Sequence, residues 1–459
     1  MLNCRGAPNV LKSLTPYYLQ LKNQGTRLVN NDGPLRACHD KTIEGSIYVH
    51  WPYCAKRCSY CNFNKYIPKS LDHVDHERMI KALNTEVRTL IHLSGLEKVK
   101  SVFFGGGTPS LMRPKDVKSF LNEITLLLDV DSAQFEVTLE ANPNDIREKL
   151  ELFQECGVNR VSLGVQALVD QDLKQLNRDH SAEEGLHALA QCLQALPNST
   201  SCDLIFGRPL QTLQSWILEL ETILQYGLKH ISLYQLTVER GTPLWKDINN
   251  GVISIPNDDS MADLYDEAIR IMAQAGLERY EISNFAVPGY ESIHNSLYWS
   301  GGEYLGIGPG AHGRFRIRNH DNEARSVRAC DQMAGIVSNV AAQSSRGGEL
   351  QARVQTLEPE PWMREVEVLS HGTRKIQRVS DEDQRAMVLT TTLRTRSGLT
   401  CEVANQIQLA LDDIWNQPSC VDLYELGLIS RDDLGIKLTS KGLSLADSVL
   451  PIILNALEP

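Results

Sequence analysis

Short apolar runs rich in Val, Ile, Phe and Leu alternate with amphipathic stretches from residue 43 onwards. Apolar runs of this length, bounded by polar and glycine residues, are typical of strands buried in a parallel sheet. Six runs are predicted as strands: SIYVHW (46–51), KSVFFGGG (100–107), FEVTLEANP (135–143), NRVSLGVQ (159–166), SCDLIFGRP (201–209) and HISLYQLTVE (230–239). Between them, apolar residues at helical spacing predict helices over residues 75–93, 114–128, 145–156 and 213–226.

Strand and helix alternate six times, which predicts parallel strands joined by helices. Polar and glycine residues gather at the carboxyl ends of these strands: His50, Gly105 to Thr108, Glu140, Gln166, Asp203 and Glu239. Barrels of alternating strands and helices place their chemistry at that edge. The fold class is therefore predicted as α/β, with a partial (β/α)6 barrel over residues 43–285 and a site at its carboxyl edge.

The pattern changes beyond residue 285. Residues 286–360 are predicted as a connector that contains a polar, aperiodic and disordered insertion over residues 316–352. Helical periodicity resumes over residues 361–459, where LGLIS and IKLTSKG follow short helices. This pattern predicts a small, mostly helical and winged-helix-like C-terminal domain.

The first 42 residues differ from the rest. Residues 1–31 contain no Asp or Glu, and their basic residues accompany leucines and a tyrosine at helical spacing. An acid-poor, basic and amphipathic N-terminus is typical of a mitochondrial transit peptide. Residues 1–42 are therefore predicted to be a transit peptide with its linker, and the protein to be mitochondrial; an ordinary basic tail is the alternative.

The composition narrows the class further. The 459 residues are 42% hydrophobic and 22% charged, as in a globular protein, and the net charge is −11. Because no long basic run is present, we expect no nucleic-acid partner. No run of 18 apolar residues is present either, so we expect no membrane span. Eight of the 11 cysteines are scattered, which favours free thiols and a reducing compartment.

The other three cysteines form a cluster just after the first strand. Cys54, Cys58 and Cys61 have the spacing C-x3-C-x2-C. Zinc sites usually combine such a pair with a second pair farther along the chain, and none follows here. Three thiolates could hold three irons of a [4Fe–4S] cluster and leave the fourth iron open. Three structural thiols or a partial zinc site are the alternatives.

The triplet resembles the cluster motif of the radical S-adenosylmethionine (SAM) family, in which SAM itself completes the ligand set. The segment GGGTP (105–109) resembles the part of that family that binds the SAM amino group, and its bare backbone allows close approach of a ligand. The segments YVHWPYC, FFGGGTPS, LEANP, GVQ, NRDH, DLIFGRP and YEISNFA resemble the oxygen-independent coproporphyrinogen III oxidase-like branch. The resemblance runs from residue 46 to the C-terminus, apart from residues 316–352.

The resemblance implies roles for individual residues. The cluster ligands would be Cys54, Cys58 and Cys61. The SAM contacts would be Tyr48, Tyr60, Gly106, Gly107, Thr108, Glu140, Gln166, Arg178 and Asp203. An arginine can meet a carboxylate with two hydrogen bonds, and carboxylates suit ribose hydroxyls and a sulfonium charge. Without the resemblance, ordinary polar residues at strand ends are an equal alternative.

Two kinds of member of this branch differ in function. In the coproporphyrinogen dehydrogenases of this branch, the cysteine motif is C-x3-C-x2-C-x-C, with a fourth cysteine. These enzymes also carry an N-terminal segment that closes on the substrate. Here Phe63 stands at the fourth cysteine position, and residues 1–45 contain no match to that segment. Both departures favour the haem chaperones of the branch. The expectation is a protein that binds haem b and passes it to a recipient haemoprotein, with no catalytic residue; the alternative is a radical SAM oxidoreductase acting on a porphyrinogen.

The segment HNSLYW (294–299) matches a motif that is linked with haem in this branch. Imidazole is a good haem ligand, so His294 is the haem candidate, with His312 and His371 as rivals. A packed histidine that caps a turn is the alternative. If SAM is reductively cleaved, the resemblance implies a ferredoxin-type electron donor. A homodimer is also compatible with it.

Overall fold

The computed structural model describes residues 42–318 and 348–456. The predicted transit peptide and most of the predicted insertion lie outside these described residues. Within them, no helix combines the length and the apolar character needed to cross a bilayer.

The first strands form the parallel part of a large sheet. They are β1 (Glu44–Trp51), β2 (Lys98–Gly106), β3 (Asp129–Val130), β4 (Glu136–Ala141), β5 (Arg160–Gln166), β6 (Thr200–Phe206) and β7 (His230–Gln235). Six of them lie side by side in the order β1-β2-β4-β5-β6-β7, and every pair in that row is parallel, while the short β3 pairs with β2. The six predicted strands and the α/β fold class are confirmed.

Strands from residue 278 onwards extend this sheet to 13 strands. They are β8 (Glu278–Arg279), β9 (Asn284–Ala286), β10 (Tyr304–Ile307), β11 (His312–Ile317), β12 (Glu349–Gln355) and β13 (Thr373–Arg378). β10 pairs with β1 in parallel and β9 pairs with β7 in antiparallel, so these strands flank the parallel row on both sides. Strands β10, β11 and β12 of the predicted connector (286–360) therefore belong to the main sheet.

The predicted insertion over residues 316–352 is also too wide. Residues 316–317 end β11 and residues 349–352 begin β12, and Ile317 pairs directly with Glu349. Phe315 and Ile317 are buried, whereas Arg314 and Arg316, which alternate with them, are half-buried. This alternation is typical of a strand with one face on the core. The polar residues on its other face are the reason that the sequence did not predict a strand here.

Helices connect the strands, and most of them cover the outer face of the sheet. Those of the barrel region are α1 (His76–Ser94), α2 (Pro114–Leu127), α3 (Pro143–Ile146), α4 (Leu150–Glu155), α5 (Asp170–Gln175), α6 (Ala182–Ala195), α7 (Leu213–Leu224), α8 (Pro243–Asn249), α9 (Asp258–Gln274) and α10 (Ile293–Trp299). Three of the four predicted helices match α1, α2 and α7. The fourth, expected over residues 145–156, is broken into α3 and α4, because residues 147–149 leave the helix.

The parallel strands have two faces of different character. One face is apolar and packs against the helices to form the main core; examples are Val49, Phe104, Leu139 and Val161. Successive strand residues point to opposite faces, so the residues between them share the inner face. On that face the strands carry mostly polar side chains: Ser46, His50, Ser101, Thr138, Glu140, Ser162, Asp203, His230 and Ser232. The strand pattern therefore gives the barrel a polar interior.

The C-terminal part has a second apolar core that runs from Val388 to Ile453. Its elements are α12 (Asp381–Thr392), α13 (Cys401–Gln406), α14 (Leu411–Trp415), α15 (Pro418–Glu425), α16 (Ser440–Ser444) and α17 (Ala446–Asn455), with β14 (Leu399–Thr400), β15 (Ile429–Asp432) and β16 (Gly435–Leu438) in a separate small sheet. Helices beside a small sheet are what the sequence pattern predicts here.

The boundary of this unit lies later in the chain than residue 361. That residue falls inside α11 (Pro359–Leu369), whose Trp362 and Val366 are buried in the main core. β13 also belongs to the main sheet. A start near residue 381 therefore describes the C-terminal unit better.

Candidate functional site

An open cavity of about 980 Å³ lies at the carboxyl ends of the parallel strands. It is lined by the three cysteines of the triplet and by eight of the nine residues that the resemblance assigns to SAM: Tyr60, Gly106, Gly107, Thr108, Glu140, Gln166, Arg178 and Asp203. Tyr48 does not line it and lies deeper, with its hydroxyl 3.0 Å from Nδ1 of His50. The fold thus brings together residues that are as far apart in sequence as Cys54 and Asp203.

The three thiols sit on the loop that follows β1. Cys54 and Cys61 are buried, and the Cys54 amide donates a hydrogen bond to the Tyr66 carbonyl at 3.0 Å. Burial raises the pKa of the Cys54 thiol to about 12 and also raises the pKa of Cys61. In the metal-free protein these thiols therefore keep their protons, and loading a metal must release them.

The three thiols share one cavity, as the ligands of a [4Fe–4S] cluster must. Within residues 42–318 and 348–456, no three His, Cys, Asp or Glu side chains are close enough to hold one metal ion. The three cysteines nevertheless line the same cavity. Each thiolate of a [4Fe–4S] cluster binds a different iron, so its ligands need to be spread around the cluster rather than focused on one point.

Arg178 is a half-buried cation of this cavity. Its Nη1 donates to Sγ of Cys58 at 3.3 Å, and its Nη2 donates to Oδ1 of Asn142 at 2.7 Å and to the Gly164 carbonyl at 2.9 Å. Its Nε is buried and finds no acceptor among the described residues. A buried donor without an acceptor costs free energy. A ligand carboxylate in the cavity would supply that acceptor, so this residue fits a ligand such as the SAM amino acid group.

Two carboxylates line the cavity from the inner face of the sheet, those of the half-buried Glu140 and the buried Asp203. Oε2 of Glu140 accepts the Gly106 amide at 3.2 Å, and both carboxylate oxygens of Asp203 accept from the Ser162 hydroxyl, at 3.0 and 2.9 Å. Burial raises the pKa of Glu140 and of Asp203. Buried carboxylates gain free energy from cationic or hydroxyl-bearing partners. Their presence therefore fits a ligand with ribose hydroxyls and a positive charge.

Glycines keep the rim of the cavity open. Gly106 has φ +115°, and a Cβ there would lie 2.7 Å from the His50 ring. At Gly107 a Cβ would lie 2.6 Å from the Tyr53 carbonyl oxygen, which belongs to the backbone and cannot rotate away. Only glycine lets this backbone approach both the cysteine loop and a ligand.

Gln166 has φ +72°, which is unusual for a residue with a side chain and lies at the end of β5 beside the cavity. Such conformations cost free energy and concentrate at ligand sites. Its carbonyl accepts from Nη1 of Arg208 at 3.2 Å. The buried Arg208 therefore helps to hold Gln166 in place.

His294 lies inside the barrel and does not line the cavity. Its Nδ1 is 3.0 Å from the Ser101 hydroxyl, its ring stacks on Phe103 with centroids 4.9 Å apart, and its amide donates to Glu136 at 3.0 Å. Burial lowers the pKa of His294 to about 3, so the ring is neutral at physiological pH. Of its rivals, His371 is buried and accepts the Thr373 amide at 3.2 Å, whereas His312 is exposed.

The residues of the cavity that were not predicted from the sequence include Lys65, Asn142, Ser162 and Tyr234. Nζ of Lys65 donates to the Cys61 carbonyl at 2.6 Å. Ser162 could have been found, because it pairs with Glu140 in the strand register and so shares its face. Tyr234 follows from the same alternation along β7. Lys65 and Asn142 lie in loops, where the sequence carries no comparable signal.

Comparison with known proteins places the chain in a family. Residues 48–223 match the sequence profile of the Radical SAM superfamily. Over 423 residues the chain is 42% identical to the Mus musculus protein named Radical S-adenosyl methionine domain-containing protein 1, mitochondrial, with 91% of this chain and 89% of that relative covered. The chain belongs to the radical SAM family. Membership implies a [4Fe–4S] cluster and SAM as its cofactors.

Two further similarities extend this result. The chain is 37% identical over 269 residues to the Heme chaperone HemW of Bacillus subtilis, which covers 58% of this chain and 70% of that protein. The solved structure of the Escherichia coli coproporphyrinogen III oxidase HemN, described as a radical SAM enzyme, covers 90% of this chain and 91% of its own, with 19% identity and a TM-score of 0.69. At that identity, the structural likeness shows a shared fold alone.

The comparisons also bear on location. The relatives from Mus musculus, Bos taurus and Danio rerio all carry the word mitochondrial in their names. The predicted mitochondrial location of this radical SAM protein is confirmed. The transit peptide itself stays a prediction, since residues 1–41 lie outside the described residues.

Proposed function

We propose that this radical SAM protein is a haem chaperone, which binds haem b, holds a [4Fe–4S] cluster with SAM, and transfers the haem to a recipient haemoprotein. The observation that carries the proposal is the cavity at the strand ends. It combines three thiols without a fourth, an arginine whose buried Nε has no acceptor among the described residues, and two carboxylates. This set matches a three-cysteine cluster whose last ligand is an amino acid group.

The position of Phe63 favours the chaperone over the porphyrinogen oxidoreductase. Phe63 lines the cavity, and it stands at the motif position where the coproporphyrinogen dehydrogenases have a fourth cysteine. Relatives named Heme chaperone HemW, from Bacillus subtilis and Escherichia coli, are 37% and 34% identical to this chain. A radical SAM oxidoreductase acting on a porphyrinogen is the second candidate, because the residues for cluster and SAM are all present.

The residues of the cavity would have different roles in binding the cluster and SAM. The three cysteines would hold the cluster after losing their protons, and Arg178 would orient the SAM carboxylate while its Nη1 stays on Cys58. Glu140 and Asp203 would accept hydrogen bonds from hydroxyls or face the sulfonium charge. The bare backbone at Gly106 and Gly107 would let the ligand reach the thiols. When bound, the cluster with SAM supplies one-electron reduction chemistry.

The haem ligand is a separate part of the proposal. His294 is the candidate from the HNSLYW segment, and its neutral ring is in the protonation state that binds iron. In the structure it is packed against Phe103 and bonded to Ser101, so ligation requires α10 to move away from the strands. His312 is the rival whose side chain is already exposed.

The test is an anaerobic haem titration of the cluster-reconstituted protein, followed at the Soret band. Wild type is compared with His294→Ala, His312→Ala and, as a matched control, His73→Ala at an exposed position. Circular dichroism and iron content show that each variant is folded and loaded. We expect saturation near one haem per chain, a clear loss of affinity in one of the first two variants and none in the control.

The outcomes separate the candidates. Saturable binding that both His294→Ala and His312→Ala leave intact would keep the chaperone and direct the search for the ligand to His371. Absence of a saturable band in wild type would overturn the chaperone. In that case, formation of 5′-deoxyadenosine that depends on a porphyrinogen would establish the oxidoreductase.

A further inference from the structure

Lys65 is a charged residue of the cysteine loop to which the family resemblance gives no role. Its side chain is half-buried and lines the cavity together with the three thiols. Its Nζ donates a hydrogen bond to the carbonyl of Cys61 at 2.6 Å and another to the carbonyl of Phe63 at 3.5 Å. The ammonium group is therefore held against the backbone of a cysteine that the proposed cluster would use.

The ammonium group of Lys65 has no carboxylate partner among the described residues. Both of its hydrogen bonds go to main-chain carbonyls. On the solvent side of the loop it shares a groove of about 730 Å³ with the exposed Arg57 and Arg240, and no acid of the described ranges lines that groove. A half-buried cation without an acidic partner costs free energy, and a negative group nearby reduces that cost. Lys65 therefore favours negative charge at the thiols.

Lys65 and Arg178 bring positive charge to different cysteines. Nη1 of Arg178 donates to Sγ of Cys58 at 3.3 Å, whereas Lys65 is bonded to the backbone of Cys61. Burial raises the pKa of the Cys54 and Cys61 thiols, and the charge of Lys65 opposes that rise at both. Since a SAM carboxylate would neutralise Arg178, the charge of Lys65 is the one left to act on the cluster.

A nearby positive charge changes the redox behaviour of an iron–sulfur cluster. An oxidised [4Fe–4S]2+ core with three thiolates carries one net negative charge, and one-electron reduction adds a second. A cation close to the ligands stabilises the more negative, reduced state more strongly, and so it raises the reduction potential. Net charge, hydrogen bonding and solvent exposure are the properties through which a protein sets that potential.

We infer that Lys65 is a positioning residue, which fixes the cysteine loop through Cys61 and raises the reduction potential of the cluster through its charge. This inference rests on the proposed function, because it requires a [4Fe–4S] cluster at the three cysteines. An external one-electron reductant supplies the electron and is oxidised, while the [4Fe–4S]2+ core becomes [4Fe–4S]1+. The alternative is that Lys65 only ties the loop together, in which case its hydrogen bonds matter and its charge does not.

The test is an anaerobic potentiometric titration of the cluster-reconstituted full chain with dithionite, without SAM, in which EPR follows the reduced cluster. Three substitutions separate charge from hydrogen bonding: Lys65→Arg keeps the charge, Lys65→Gln keeps a donor without the charge, and Lys65→Met removes both. Lys69→Met is the matched control, because Lys69 is exposed, close in sequence and absent from the lining of the cavity and of the groove. Iron content and circular dichroism are measured on every sample.

We expect the two neutral variants, Lys65→Gln and Lys65→Met, to have a lower reduction potential. At the potential where half of the wild-type clusters are reduced, their ratio of reduced to oxidised cluster should fall roughly ten-fold, which is about 59 mV for one electron. A unit charge several ångströms away, at an effective dielectric constant of about 20, has an effect of this order. Lys65→Arg and Lys69→Met should stay within about two-fold of wild type, because both keep the charge near the thiols. Lys65→Met should also retain less iron than Lys65→Gln.

Several results would overturn the inference. A wild-type potential in Lys65→Gln at full iron content would show that the charge has no role. An equal shift in Lys65→Arg and Lys65→Gln would assign the effect to a disturbed loop, and an equal shift in Lys69→Met would remove its link to this position. A wild-type chain that cannot be loaded with a cluster would overturn the proposed function as well. The expected shifts in a chain that binds no haem would overturn the chaperone and support the inference.

Discussion

Replacing Arg178 with lysine tests the cavity most directly. The substitution keeps a positive charge and similar length but removes the planar fork. In the structure that fork makes three hydrogen bonds, to Cys58, Asn142 and Gly164, and it keeps Nε free among the described residues. An ammonium group on a flexible stem cannot keep these three contacts and also meet a ligand carboxylate.

The magnitude follows from the lost contact with the ligand. A hydrogen bond to a charged group contributes about 1.5–3 kcal/mol. Since about 1.4 kcal/mol corresponds to a factor of ten, losing one such bond weakens SAM binding by roughly ten-fold to about 150-fold. Arg178→Ala should do more, because it also removes the charge and all three hydrogen bonds of the side chain.

The assay is equilibrium dialysis of SAM against the cluster-loaded protein without oxygen. Iron content and the cluster absorption are measured on the same samples, because loss of the bond to Cys58 could also weaken the cluster. Arg147→Lys is the matched control at an exposed arginine. A dissociation constant for Arg178→Lys within two-fold of wild type, at full cluster content, would refute the role given to this residue.

Three other predictions concern the frame of the site. Gly107→Ala should destabilise the fold by about 1–3 kcal/mol and reduce SAM binding, because its Cβ would lie 2.6 Å from the Tyr53 carbonyl. Glu219→Gln should lower the free energy of unfolding by about 3 kcal/mol, since it removes the carboxylate of Glu219 that pairs with the buried Arg208. His294, with a folded pKa of about 3, stays neutral while the unfolded ring gains a proton below its usual pKa of 6.5. Its contribution to stability should therefore fall by about 2 kcal/mol between pH 6.5 and 5, and His294→Gln should remove that slope.

Matched variants decide these three cases. Gly227→Ala strains the backbone at φ +70° without a neighbour within 4 Å, so it should leave SAM binding unchanged. Glu221→Gln, exposed on the same helix as Glu219, should change the urea midpoint little. His73→Gln, at an exposed position, should keep the wild-type dependence of stability on pH. Normal stability of the Gly107→Ala protein would contradict the steric argument. Equal urea midpoints for Glu219→Gln and Glu221→Gln would contradict the role of the buried ion pair. An unchanged dependence of stability on pH in His294→Gln would contradict the argument from the pKa of His294.

Much of the parallel sheet could be predicted because its signals are local. Each of the six strands is a single apolar run between polar residues, and the βα alternation implies their direction. The strands β10 to β13 were missed, since they are short or carry arginines on one face, and their pairing partners are distant in sequence. β10 is the clearest case: only its contact with β1, more than 250 residues earlier, makes it part of the barrel.

The sequence by itself determined the cysteine spacing, the glycines that end β2 and the alternation that makes the barrel interior polar. These features depend on neighbours within a few residues, where spacing and backbone geometry leave few choices. Only the tertiary structure decided that Arg178 meets Cys58, that His294 is buried against Ser101, and that Arg57 and Arg240 share one groove. Each of these pairs is separated by more than 100 residues. Such contacts depend on the path of the whole chain, which no local pattern records.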